Sequence, residues 1–143
     1  MIYDAQNLFS SAQALTATAD ATNVIDLSQV RHIADGTPMS VYIHVGVAAN
    51  TADADETYEF LVRSDDNASL TSDTTIASRT IAGSALTLNS LHEIPLPQNA
   101  TFERYLGVVY TLGGTTPSIT VTTWLAPTGS LPSVRTYANG YNA

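Results

Sequence analysis

Three histidines (His32, His44, His92) and thirteen carboxylates are the side chains of this 143-residue chain that could do acid–base or metal chemistry. Their spacing supports little of it. No His-x-His or His-x-x-x-His pair offers a metal two ligands on one face, and no serine sits in a nucleophile elbow. A Ser-His-Asp set need not be close in sequence, yet a hydrogen-bonded surface or interface histidine is the expected role for each. Asp53-Ala-Asp55-Glu56 offers oxygens suited to calcium but lacks the glycine and distant glutamate of an EF-hand loop. A solvated acidic loop is expected there. Glu59 and Glu93 could be imagined as a paired-carboxylate glycosidase site, but many β proteins have two glutamates, and no substrate-platform aromatics are recognised around these. Asn67-Ala-Ser69 and Asn99-Ala-Thr101 match the glycosylation pattern and are read as chance occurrences. Cysteine is absent, which excludes disulfides and thiolate zinc sites. No glycine-rich phosphate loop precedes a helix. The expectation is a protein without catalysis, metal or cofactor.

Charge narrows the partners. Thirteen acids face five bases, all arginine (Arg31, Arg63, Arg79, Arg104, Arg135), for a net charge of -8. Nucleic-acid binding needs a basic surface, and an anionic membrane would repel this chain. Arginine without lysine suits fixed, planar pairing with carboxylates. Charged residues are only 13% of the chain, so Thr, Ser, Asn and Gln carry most of its polarity. Such a surface suits an all-β protein, or one packed against partners. Trp124, the lone tryptophan, has three open readings: sugar platform, interface anchor, or cap on the core edge.

The elements that must position these residues read as strands. The opening has no Lys or Arg before Arg31, and Asp4 is negative, so a secretory signal is not expected. No apolar run approaches the roughly 20 residues of a membrane span. Residues 4–13 suit one or two helical turns. Beyond Leu15, Thr16 and Thr18 alternate with Ala17 and Ala19, which is strand behaviour. Asp20–Asn23 reads as a turn and Val24–Leu27 as a short strand. The small side chains of the opening let it lie flat on a neighbour as an extended arm.

MSVYIHVGV (39–47) is the clearest strand, with Val41, Ile43, Val45 and Val47 on one side and Ser40, Tyr42, His44 and Gly46 on the other. TYEFLVR (57–63) follows, with Tyr58, Phe60 and Val62 aligned. TTIASRTIA (74–82) and ALTLNSLHEIPL (85–96) are weaker strands broken near Gly83-Ser84, and Pro95 and Pro97 confine the second to an edge or loop. RYLGVVYTL (104–112) should place Leu106, Val108, Tyr110 and Leu112 on the core. Gly113–Pro117 should turn the chain into SITVTTWLA (118–126) as its hairpin partner, with Ile119, Val121 and Leu125 inward. About eight antiparallel strands and no long helix favour an all-β, jelly-roll-like β-sandwich, although one sequence does not fix strand order against a barrel. The expected organisation is a single domain over 1–143. Residues 1–22 form an N-terminal arm and first strand, 23–126 the sandwich core, and 127–143 a C-terminal arm.

The first thirty residues carry a resemblance. Asp-Ala-Gln-Asn-Leu-Phe-Ser (4–10), Ala-Gln-Ala-Leu-Thr-Ala-Thr-Ala (12–19) and Thr-Asn-Val-Ile-Asp-Leu (22–27) before Arg31 are similar to the opening of the capsid cement, or decoration, proteins of tailed bacteriophages. The Bordetella phage cement protein typifies that group. The likeness continues through Glu103–Leu106 and Tyr110–Thr115, and is weakest over 48–90 and the C-terminal arm. It implies a jelly roll that binds the outer surface of an icosahedral head in the virion, after synthesis in the bacterial host cytoplasm. The implied partners are the major capsid protein and further copies of the chain, as a dimer or trimer, with no nucleic acid and no membrane. On this reading Tyr3, Leu8, Phe9, Trp124, Tyr137 and Tyr141 contact neighbours, while Arg31 and Arg104 pair with carboxylates inside the fold or across an interface. Loss of the first ten residues is then expected to leave a folded domain that binds shells less well. A carbohydrate-binding module for host attachment, built on Trp124 and neighbouring tyrosines, is the rival reading.

Overall fold

The computed structural model describes residues 4–30, 33–34 and 36–130. Among them the strands are β1 (Leu8–Leu15), β2 (Ala19–Asp20), β3 (Ile25–Asp26), β4 (Met39–Val47), β5 (Thr57–Asp65), β6 (Thr74–Ile81), β7 (Leu91–Pro95), β8 (Tyr105–Gly113) and β9 (Ile119–Pro127). They form two antiparallel sheets, ordered β1–β9–β4–β7 and β2–β8–β5–β6, with β3 also on β8. This is the all-β sandwich expected, and its strand order is that of a jelly roll. The two-residue strands β2 and β3 lie end to end along β8, so they act as one broken strand.

Alternation builds the core. Val41, Ile43 and Val45 from β4 and Ile119, Val121 and Leu125 from β9 face Tyr58, Phe60 and Val62 from β5 and Leu106, Val108, Tyr110 and Leu112 from β8. Phe60 meets Tyr110 edge to face, ring centroids 5.9 Å apart. One polar group is enclosed with them. The hydroxyls of Ser10, Thr123 and Tyr110 lie 2.6–2.8 Å from one another and join the two sheets. Each can donate one bond and accept one, so no buried lone partner is left over. Burial pushes the Tyr110 phenol up to about 12, so it stays protonated and able to donate.

Several expectations change. The opening forms one 3-10 turn, Ala5–Asn7, capped by the Asp4 carboxylate accepting from the Gln6 N–H. The strand begins at Leu8 rather than after Leu15, because Phe9 has core to fill and Thr16–Thr18 do not. Val47 is 58% exposed instead of inward, since a shift in the β4–β9 register between Val45 and Val47 interrupts the alternation. The strand expected over 85–96 shortens to β7; the end of a 3-10 turn at Gly83–Ala85 and a turn in which the Ser90 N–H donates to the Thr87 carbonyl occupy its first half. β7 is a sheet edge, which suits Pro95 at its end and Pro97 just beyond.

The largest correction concerns β8 and β9, which are not a hairpin. β8 is flanked on one side by β5 and on the other by β2 and β3, so it has no free edge for β9. Residues between them carry the chain across to the other sheet, where β9 lies between β1 and β4. Gly114 makes this crossing possible. Its φ is +102°, and a Cβ there would stand 2.7 Å from Glu56 Cα and 2.8 Å from the Asp55 carbonyl oxygen.

Candidate functional site

One row of side chains crosses all four strands of the first sheet. Register places Leu8 of β1 opposite Trp124 of β9, Trp124 opposite Tyr42 of β4, and Tyr42 opposite Glu93 of β7. Val41 and Ile43 point into the core, so this row faces outward. It is nevertheless covered. Tyr42 is fully buried and Trp124 only 5% exposed, their rings stacked 5.7 Å apart at 25°. The chain following β9 folds back over Tyr42: the Thr128 N–H donates to the Pro38 carbonyl, and the Gly129 N–H donates to the Tyr42 hydroxyl. One Glu93 oxygen accepts from both Ser40 Oγ (2.7 Å) and the Tyr42 hydroxyl (3.1 Å). Burial raises the Tyr42 phenol above its ordinary value, and the Gly129 N–H partly offsets that. The C-terminal segment therefore leaves the sandwich from a fixed point on this face.

The expected contact residues divide accordingly. Leu8 is half-buried at the β1 end of the row. Phe9 is turned into the chain's own core with no exposed surface. Trp124 is stacked within the chain and offers no open sugar platform, which removes the observation behind the carbohydrate reading. Tyr3, Arg31, Tyr137 and Tyr141 lie outside the described residues, as does His32.

Arg104 pairs inside the fold. Its Nε and one terminal nitrogen donate to the two Asp26 oxygens, both at 2.9 Å, and its guanidinium lies 5.0 Å from the Tyr105 ring centroid. This fork locks β3 to β8. The Arg104 hydrogen bonds, with help from the Ser28 N–H, hold the Asp26 carboxyl down to about 2. A depressed carboxyl contributes stability above its unfolded value and loses it as pH falls through the folded value. The fork should thus stay intact at pH 4; its contribution to stability shrinks as pH falls from about 4, and the fork itself opens as the folded carboxyl takes up a proton near 2. A carbon-detected NMR titration of Asp26 should find its midpoint near 2, and Arg104→Gln should return it toward 3.8. An unshifted native midpoint would remove the fork from the solution structure.

The candidates for chemistry separate. Glu59 faces outward from the second sheet, because its neighbours Tyr58 and Phe60 point inward, while Glu93 faces outward from the first. The sandwich stands between them, so no paired-carboxylate site forms. His44 is half-buried on the outer face of β4, and His92 Nε2 shares a 3.1 Å hydrogen bond with Ser90. Burial, then the Arg79 charge, lower the His92 value.

Asp53, Asp55 and Glu56 do converge. Asp55 accepts from the Thr115 hydroxyl and N–H, Asp53 from the Thr116 hydroxyl, and Glu56 from the Asp53 N–H. The Thr115 hydroxyl, followed by its N–H, lowers the Asp55 value. These carboxylates clasp the loop before β5 to the crossing between β8 and β9. Sequence reading missed a second acid, Asp65, which is fully buried and accepts from the Asn67 and Ser72 N–H groups and the Ser72 hydroxyl. Its two-residue spacing to Asn67, an Asx-turn pattern, was the available signal.

Among the described residues no helix is long and apolar enough to cross a membrane. A protein-family model described as Bbp16 matches residues 9–123. No curated protein matches the chain. The matched span runs from β1 into β9 and so takes in both sheets.

Proposed function

Because this chain belongs to the Bbp16 family, whose namesake is a Bordetella phage protein, it is a phage structural protein and a virion component, and we propose that it is a capsid cement protein. On this reading it binds the outer surface of an icosahedral tailed-phage head and holds neighbouring major capsid subunits together. The observation that carries the proposal is the family match across the whole sandwich.

Its physical mechanism is surface burial rather than catalysis. A rigid sandwich docks on one capsid subunit while the terminal segments reach the next. Each contact is modest, but a segment tethered to a docked body binds at high effective concentration, so bridging exceeds either contact alone. The fixed exit of the C-terminal segment over Tyr42 supports this by setting where Tyr137 and Tyr141 begin their reach. Tyr3, Leu8 and Arg31 are the proposed contacts at the N-terminal side. Copies of the chain associate with one another, which adds avidity and matches shell symmetry. Neither nucleic acid nor membrane is a partner in this proposal, and no metal or cofactor takes part.

Co-sedimentation of the purified protein with expanded shells lacking it tests the proposal. Saturable binding at a fixed ratio to the major capsid protein, with a raised shell melting temperature, is the expected result. Absence of binding at every ratio would overturn it.

A further inference from the structure

We propose that the outer face of the first sheet, from the His44 row to its Val47 end, is the surface that docks on a major capsid subunit, with the second sheet turned away from the shell. The inference rests on the cement reading and deepens it by naming the docking face and what that face accepts. Charge divides the two sheets. The four strands of the first hold a single Asp, Glu or Arg, which is Glu93. Those of the second hold Asp20, Asp26, Glu59, Arg63, Asp65 and Arg79. Glu59 and Arg63 project from the outer face of β5, where Arg63 is tied to Asp73 at 2.7 Å. A face so furnished suits water.

The first sheet is furnished differently. Beyond the covered Tyr42 row, register sets Leu91 of β7 beside His44 of β4, and His44 beside Thr122 of β9. The next row sets Thr120 of β9 between Val47 and Ala14 of β1. Gly46 adds no side chain, and a Cβ built there would meet only Thr120. Ala14, Gly46 and Val47 are exposed, and the other four are half-buried. Neither row holds an Asp, Glu, Arg or Lys, on a chain whose net charge is -8. Depletion of charge, rather than bulk apolarity, is what marks the centre of a protein interface. Val30, Val47 and Leu88 are the exposed large hydrophobics among the described residues. Two of the three meet at this end of the sheet. The Asn89 N–H donates to the Val45 carbonyl and the Ala49 N–H to the Leu86 carbonyl, so backbone bonds on either side bracket Val47 and Leu88.

Two observations select the occupant. Both terminal segments leave from this sheet: β1 begins at Leu8, and Gly129 is fixed over Tyr42. Segments that reach neighbouring capsid subunits start closest to them when the sheet they leave faces the shell. Charge at the rim is the second observation. Glu93 stands on one side of the face, and Asp53, Asp55 and Glu56 converge in the loop beyond its Val47 end. The strands between them carry no arginine or lysine. A second copy of the same face would bring these acids against one another, which costs affinity. The matching surface is a flat, uncharged patch of the capsid subunit with lysine or arginine around it.

Co-sedimentation of the full chain with expanded shells lacking it supplies the test, run beside Val47→Glu, Val47→Lys, Leu88→Glu and Ala68→Glu. The first three put a charge of either sign into the proposed contact. Ala68→Glu puts one on the loop whose Leu70 packs on Gly107, at the outer face of the second sheet. All three positions are exposed, so the melting temperature should not move. Each Val47 variant and Leu88→Glu should weaken shell binding about tenfold or more, because a charge desolvated there meets no partner. Ala68→Glu should stay within about twofold of the native chain. Should the Val47 variants fail to fold, Leu88→Glu decides. Native affinity in Leu88→Glu, or an equal loss in Ala68→Glu, overturns the docking face while the cement reading stands. A native chain that binds no shell overturns both.

Discussion

Phe9→Ala will destabilise the sandwich by about 3–5 kcal/mol, the cost of an aromatic-sized cavity in a closed core. For a domain of this size, that lowers the melting temperature by about 10–17 °C. Phe9 is wholly enclosed between the sheets, and the neighbouring Ser10 completes the three-hydroxyl ring with Thr123 and Tyr110. The chain has too little stability in total, about 5–15 kcal/mol, for this to be a minor loss. Removal of the first ten residues takes both side chains together with Leu8, so the truncated chain should show no cooperative thermal transition. A folded truncated chain with a native melt would show that β1 is dispensable. This reverses the expectation from sequence that the opening is an arm whose loss affects docking alone. Weak shell binding by such a truncation would report on stability, not contact, and Leu8→Ala is the cleaner probe of docking at this end.

Gly114→Ala should cost about 2–5 kcal/mol, from left-handed backbone strain and overpacking together. The added Cβ meets Glu56 Cα, the Asp55 carbonyl and the Glu56 nitrogen, all within 3 Å and all backbone, so no rotamer change relieves it. Gly129→Ala is the control. Its φ is +76°, but nothing lies within 4 Å of the added Cβ, leaving strain alone at about 1–2 kcal/mol. Urea denaturation of both variants separates the two contributions. Equal losses would show that the crossing between β8 and β9 yields, and that the clasp of Asp53 and Asp55 on Thr115 and Thr116 is not rigid.

Strand identity was legible where alternation was strong. β4 was read to its end residues, and the inward faces of β5, β8 and β9 were read correctly, because a half-buried strand must alternate. Pairing was not legible. Gly113–Pro117 has the composition of a hairpin turn, and nothing local reveals that β8 is already flanked on both sides. The bulge that exposes Val47 is also invisible, since it depends on register with β9. For the site, the sequence named Arg104 as a carboxylate partner but could not choose Asp26, 78 residues away. It named Trp124 without its stacking on Tyr42, which arises from neighbouring strands far apart in the chain. The resemblance rested on the first thirty residues, whereas the family match begins at Phe9 and extends through the sandwich.

The union of the first strand with the last also governs when the protein can form. Ser10 and Thr123 are 113 residues apart, and β9 lies between β1 and β4. A nascent chain that has not yet emerged as far as Pro127 cannot close its first sheet. Phe9 then waits without its neighbouring strand until β9 has been made. Contacts of such long sequence separation also slow the search once the chain is free, placing folding in the millisecond-to-second range typical of all-β topologies. The order of synthesis therefore delays the sandwich until β9 has been made, with the segment around β1 exposed to wrong partners throughout.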